Sequence, residues 1–156
     1  MIQAYFAYGS NMNPARMRER GIDFVHAEGA ALAGFALCFD KRAGNRDDAG
    51  HANIRWQPGT RVHGVLYRLR HAEGITQLDP FERTPVNYSR EVYLLAPATG
   101  GAPVPAWVYV ANAAAIRPGL RPEPGYLAHL LAGEALLPAA YVQALRDTPC
   151  LSAGLE

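Results

Sequence analysis

The sequence predicts a mixed α+β domain built around a curled, antiparallel-rich sheet with short helices beside it, and three observations carry that expectation. Six or seven apolar runs of strand length occupy the first two thirds of the chain, mostly separated by tight turns suited to hairpins. Apolar residues at helical spacing are concentrated after Tyr126. Between these regimes Pro118, Pro122 and Pro124 interrupt regular structure.

In chain order, residues 2–8 are aromatic and aliphatic and predict a buried strand, after which Asn13 caps and Pro14 opens a short helix to about Arg20. Alternating apolar residues predict strands over 23–26 and 31–40, with Leu32, Phe35, Leu37 and Phe39 in the core and a bulge or bend at Gly34. Residues 41–50 form a polar loop containing Arg42, Asn45, Arg46, Asp47 and Asp48, expected to be mobile and a candidate cover for a site. A first hairpin is expected from 52–56 and 61–69 around the turn Gln57-Pro58-Gly59-Thr60. Residues 70–78 have helical character that ends near Pro80, and 86–96 with 104–111 form a second hairpin around Thr99-Gly100-Gly101. Helices over 126–131 and 138–146 follow from Leu127, Leu130 and Leu131, then Tyr141, Val142 and Leu145.

At 156 residues the chain fits one domain spanning 1–156. Its hydrophobic fraction of 49% and net charge of +1 belong to an ordinary globular protein and supply no bulk field for nucleic acid. Of 15 basic residues only Lys41 is a lysine, and the arginines are scattered; the strongest cluster, Arg16, Arg18 and Arg20, does not share one helical stripe and reads as a solvated face. Cys38 and Cys150 lack zinc or redox spacing, and His26, His51, His63, His71 and His129 lack metal-ligand spacing, so neither metal nor organic cofactor is expected. The opening apolar run lacks the basic flank and length of a signal peptide or membrane span, so no membrane partner and a cytoplasmic location are expected. The oligomeric state stays open.

The chemistry-bearing string is Tyr8-Gly9-Ser10-Asn11, set where the first strand ends and the first helix begins. A glycine there lets backbone approach a ligand, and amides at the start of a helical turn point outward, which makes a candidate anion or oxyanion cradle. The same residues are also ordinary strand-to-helix turn formers. Further along, Leu78-Asp79-Pro80-Phe81-Glu82, followed by Tyr88, offers the carboxylate that such a cradle would need.

These strings resemble the gamma-glutamyl cyclotransferase-like family, and the resemblance runs nearly the full length. Its Tyr-Gly-Ser-Asn loop corresponds to residues 8–11, its Gly-Val-Leu-Tyr strand to 64–67, and its Leu-Asp-x-x-Glu segment to 78–82. A following tyrosine corresponds to Tyr88, a strand tyrosine to Tyr109, the Pro-x-Pro-x-Tyr segment to 122–126, and the last Leu-Pro-x-x-Tyr to 137–141. The resemblance implies a small barrel-like sheet flanked by short helices, a small-molecule gamma-glutamyl substrate, and release of 5-oxoproline with Glu82 as the acid/base. It also implies substrate contacts at Tyr8, Gly9, Ser10, Asn11, Tyr88, Tyr109 and Tyr126. By residue type alone, Tyr88, Tyr109 and Tyr126 read equally as core or rim aromatics whose hydroxyls find some partner. One departure concerns the residue after Glu82, a glycine in the family and Arg83 here, which is either a surface charge or a partner for a carboxylate on the leaving group.

In that reaction the substrate's own α-amine closes the ring, so no enzymic nucleophile is needed, in keeping with the absence of a Gly-x-Ser-x-Gly elbow. Ser10 is then a positioning group. Asp79, three residues before Glu82, would raise the Glu82 pKa if both shared a helical face through Pro80. The competing class is a non-catalytic module that binds a small carboxylate or glutamyl group on the same fold.

Overall fold

Two very long strands organise the molecule. In the computed structural model, which describes residues 1–152, β2 (Phe24–Arg42) and β3 (Gly50–Leu69) pair antiparallel from Phe24 opposite Leu69 to Arg42 opposite Gly50. β1 (Ala4–Ala7) runs antiparallel to β3, and β4 (Tyr88–Pro97) joins β2 through Ala30 and Ala31. β5 (Val104–Ala111) pairs antiparallel with β4 and closes the ring through a parallel contact with β1, giving the barrel order β1-β3-β2-β4-β5. The antiparallel-rich curled sheet and its closure agree with the sequence expectation.

There are five strands among the described residues where six or seven were expected, because pairing runs on across two stretches expected to separate strands. Segments 23–26 and 31–40 belong to one strand, because the intervening Ala27-Glu28-Gly29-Ala30 pairs with Tyr67, Leu66, Val65 and Gly64 in unbroken register despite its lack of large apolar residues; the register shifts lie within the two segments, between Phe24 and His26, Ala33 and Phe35, and Cys38 and Lys41. Gln57-Pro58-Gly59-Thr60 is not a hairpin turn. Trp56 pairs with Phe35 and Arg61 with Ala33, so those four residues bulge out opposite Gly34, whose φ is 86°. The Thr60 hydroxyl closes the bulge on Phe35 O (2.9 Å) and Gln57 O (2.7 Å). The true turn between the long strands is the polar 43–49 segment. It is tied down by Ala43 N–H to Ala49 O (2.9 Å) and by the Arg42–Asp47 and Arg46–Asp48 ion pairs at 2.6 and 2.8 Å.

Short helices pack on one side of the barrel: α1 (Pro14–Glu19), α2 (Ile75–Leu78), α3 (Pro124–Leu131) and α4 (Ala139–Arg146). α3 starts at Pro124 rather than at Tyr126, since proline at a first helical position loses no intrahelical bond. Two-residue alternation along β1 divides the core. Phe6 joins Leu32, Ile54, Val62, Leu66, Leu95 and Val108 within the barrel, whereas Tyr5 and Ala7 face Met17, Leu78, Leu127, Leu130 and Leu145 beneath the helices. Leu32 is buried as expected, while Phe35, Leu37 and Phe39 are half-buried and pack at the cluster margins. No helix among the described residues is long and apolar enough to cross a membrane.

Candidate functional site

The site forms where β1 runs out. Past Ala7 the chain turns at Gly9 into a 3-10 turn, Ser10–Met12, and Asn13 Oδ1 then accepts the Ala15 N–H (3.1 Å) to start α1. A side chain at position 9 would bring its Cβ to 3.2 Å from both Ala52 Cβ and Tyr126 Oη, so glycine is what lets β3 and α3 close over the bend. The first bond of the turn is Met12 N–H to Gly9 O (3.0 Å), which leaves the Ser10 and Asn11 amides without intrahelical acceptors.

Glu82 comes to this bend from the other wall. After α2 the chain makes a further turn, with Phe81 and Glu82 N–H both donating to Leu78 O (2.9 and 3.2 Å), and Arg83 follows in the left-handed region at φ 48°. That carries Glu82 Oε1 to 3.4 Å from Asn11 Nδ2, across a separation of 71 residues in sequence. Asn11 is buried and held through its side chain and its carbonyl: Nδ2 also donates to the Tyr5 hydroxyl (3.1 Å), Oδ1 accepts from Arg20 Nη1 (3.0 Å), and its carbonyl accepts from the Tyr67 hydroxyl (2.7 Å). The two walls enclose a cavity of about 190 Å³. Tyr8, Gly9, Ser10, Asn11, Glu82, Tyr88, Tyr109 and Tyr126 all line it, so the geometry brings together every residue singled out in the sequence.

Their hydroxyls are not equivalent. Tyr8 donates to Tyr109 O (2.5 Å), Tyr88 to Ala52 O (2.8 Å), and Tyr109 to Asp79 Oδ1 (2.6 Å). Tyr126 instead accepts the Ala52 N–H (2.9 Å), and Tyr5 accepts from Asn11, so these two keep an O–H proton for a ligand. Burial pushes all five phenols above their ordinary range, which keeps them as neutral donors.

Burial also raises the Glu82 carboxyl above its ordinary value; Arg20, Lys41 and Arg16 pull it back by a smaller amount. Asp79 adds little, because it turns away into a two-pronged pair with Arg90 (2.7 and 3.0 Å) and the bond from Tyr109. His51 stacks on Tyr126 at 4.4 Å between ring centroids, and burial, reinforced by Lys41, Arg16 and Arg20, lowers it to about 4, so its imidazole is neutral at pH 7.

The structure corrects the reading of the arginine cluster. Arg16 and Arg20 are four residues apart, share a stripe and both face the cavity, Arg16 donating to Ser10 Oγ (3.1 Å). Arg18 alone turns away, over the Phe24 ring (5.3 Å). The i,i+4 spacing just after the cradle was the available signal. Lys41 and His51 were also missed as site residues; Lys41 is buried at the cavity wall, and its standing as the chain's sole lysine was the sequence clue.

Residues 5–127 match the family model described as gamma-glutamyl cyclotransferase, AIG2-like. Among solved structures, one named gamma-glutamyl cyclotransferase is 21% identical, with a TM-score of 0.82 over 98% of this chain and 91% of the other. An uncharacterized protein from Homo sapiens is 23% identical, with a TM-score of 0.83 over the same shares. A gamma-glutamyl cyclotransferase described as specific to glutathione, from yeast, is 15% identical, with a TM-score of 0.65 over 91% of this chain and 93% of the other. At these identities the likeness is one of fold. No curated protein matches the chain in sequence.

Proposed function

The chain belongs to the gamma-glutamyl cyclotransferase, AIG2-like family, and from that premise we propose that it releases 5-oxoproline from a gamma-glutamyl amide, with Glu82 moving the proton. The observation that carries this reading is one half-enclosed carboxylate facing the residue 8–11 bend across a cavity sized for a bent glutamyl chain.

The substrate's α-ammonium loses a proton to Glu82, and the free amine attacks the γ-carbonyl carbon. Negative charge then gathers on the former carbonyl oxygen, where the Ser10 and Asn11 amides and the Tyr126 hydroxyl are the donors at hand; one such donor is worth about 2.7–4 kcal/mol in the transition state. Protonated Glu82 returns its proton to the departing nitrogen as the C–N bond breaks, and the regenerated carboxylate takes the second proton from the ring nitrogen and passes it to the released amine, leaving 5-oxoproline and the leaving group as its ammonium form. In water the first transfer is uphill by about 3.5 pKa units, or about 5 kcal/mol. Burial narrows the gap from both sides, since it raises the carboxylate, as at Glu82, and lowers a bound ammonium. Because ring closure is intramolecular, much of the remaining gain comes from holding amine and carbonyl in contact.

The test is 5-oxoproline release from a panel of gamma-glutamyl dipeptides, gamma-glutamyl amines of the lysine type, and glutathione, repeated with Glu82→Gln. Turnover by the wild type and a kcat about 10²- to 10⁴-fold lower in the variant, with binding retained, is the expected result. Equal rates in the two proteins overturn the assignment of Glu82. Binding without turnover across the panel overturns the enzyme reading in favour of a glutamyl-binding module.

A further inference from the structure

His129, on α3, reaches the cradle through one intermediary. Its Nδ1 lies 3.1 Å from Asn13 Nδ2 and its Nε2 lies 3.5 Å from Arg16 Nη1, while Arg16 Nε donates to Ser10 Oγ at 3.1 Å. One guanidinium therefore meets the bend through Nε and the imidazole through Nη1. His129 itself is not among the residues that line the cavity.

Both neighbours of the ring are donors. Asn13 Oδ1 already accepts the Ala15 N–H (3.1 Å), which fixes the amide and leaves Nδ2, with protons only, toward the imidazole. A guanidinium likewise has no acceptor to offer. A neutral imidazole brings one lone pair to these two donors, and the shorter contact takes it. Nδ1 accepts from Asn13, and the ring proton sits on Nε2, where the distance to Arg16 is that of packing rather than of a bond. An imidazolium brings no lone pair at all. It would set N–H against N–H on both sides and place a second positive charge 3.5 Å from Arg16. Burial first, then Arg16, hold the His129 pKa below its ordinary 6.5; Glu19 pulls the other way, and Arg20 adds to the lowering. α3 has no other acidic or basic residue.

We infer that His129 is a positioning residue for the 8–11 bend: its neutral ring backs Arg16 where Arg16 holds Ser10, and a proton on the ring drives Arg16 off that bond. The cradle is thereby tied to a proton taken up outside the cavity, on a half-exposed ring that solvent can reach. Only the kinetic consequence rests on the cyclotransferase reading. There the effect adds to the loss that protonation of Glu82 causes.

The experiment follows the His129 ring by NMR from about pH 8 to pH 4, together with the Arg16 Nε–H and Ser10 amide resonances. Both are expected to shift at the midpoint of the ring. That step should be absent from His129→Gln, which keeps an acceptor for Asn13 and cannot take up a proton. Arg16→Gln should raise the midpoint of the ring by removing the nearer cation. The kcat/KM of His129→Gln divided by that of the wild type cancels the titration of Glu82, which both proteins share. This quotient is expected to lie near one at pH 8 and to rise about tenfold as pH falls through the midpoint, the low end of what a charge-assisted hydrogen bond contributes. A quotient that stays flat overturns the inference, since a merely structural histidine would lower activity equally at every pH. Arg16 and Ser10 resonances that ignore the ring overturn it as well. Resonances that follow the ring in a protein that releases no 5-oxoproline from any compound of the panel uphold the coupling and overturn the cyclotransferase reading alone.

Discussion

Asp79 and Glu82 stand on one turn, three residues apart, and their surroundings are opposite. Asp79 is met by two nitrogens of Arg90, itself stacked on Trp107 at 4.4 Å, and by the Tyr109 hydroxyl, so its negative charge is fully bonded to β4 and β5. Glu82 has one long contact, to Asn11, and cavity on its remaining side. The first carboxylate fixes the turn to the barrel; the second is presented by it. Which acid does chemistry is therefore decided by which one has lone pairs left, something that the string Leu-Asp-Pro-Phe-Glu does not itself reveal.

Exchanging the two deletions is the strongest way to break this contrast. Glu82→Gln is expected to lose turnover by the 10²- to 10⁴-fold given above without losing stability, whereas Asp79→Asn is expected to lose about 2 kcal/mol, or about 5 °C in Tm, because it strips a half-buried arginine of its partner. Calorimetry of both variants beside their kinetics reads the difference; an Asp79→Asn protein with unchanged Tm and abolished turnover would reverse the roles. pH sharpens the point. Since the folded protein holds a proton on Glu82 more tightly than the unfolded chain does, ionised Glu82 costs stability above its raised pKa, and the cost disappears below the ordinary value of 4.5. Glu82→Gln should accordingly melt higher than wild type at pH 7–8, with the gain vanishing toward pH 4, while wild-type kcat/KM falls about tenfold per pH unit below that raised pKa as the base becomes protonated.

How much of this arrangement was legible in the sequence follows the same division between local and distant causes. The cap at Asn13, the proline start of α1, the Thr99-Gly100-Gly101 hairpin and the closing helices are specified by neighbours a few residues away, and they appear where expected. The bulge at Gln57-Pro58-Gly59-Thr60 uses turn chemistry, and only the pairing of both flanks with β2 distinguishes it from a hairpin. Glu82 and the 8–11 bend were visible through the family resemblance rather than through periodicity. Arg16, Arg20 and Lys41 were not, because the i,i+4 spacing of the arginines and the singleness of the lysine mark them out without showing whether they face a cavity or solvent.

Two tyrosines on opposite sides of Ala52 refine the contrast between scaffold and site at smaller amplitude. Tyr88 donates to the Ala52 carbonyl and Tyr126 accepts its N–H, so either phenylalanine leaves a backbone group unbonded and costs about 1 kcal/mol. Only Tyr126 retains a proton for a ligand. Tyr126→Phe should therefore lose a further tenfold or so in kcat/KM, whereas Tyr88→Phe should stay within about threefold of wild type; equal kinetic losses would show that both act by positioning β3.

The smallest effect separates strain from charge at Arg83. With φ at 48° its Cβ crowds the backbone by about 1–2 kcal/mol, and glycine removes that cost while adding freedom to the unfolded chain worth about 0.4–1 kcal/mol. The difference leaves Arg83→Gly more stable by about 0.5 kcal/mol, a rise of 1–2 °C in Tm. Arg83→Ala removes the same charge and keeps the crowded Cβ, so it should melt no higher than wild type. If both variants melt higher by the same amount, repulsion from Lys41 is the dominant cost at this position; if glycine alone does, the chain accepts a strained backbone in order to keep a cation beside its base.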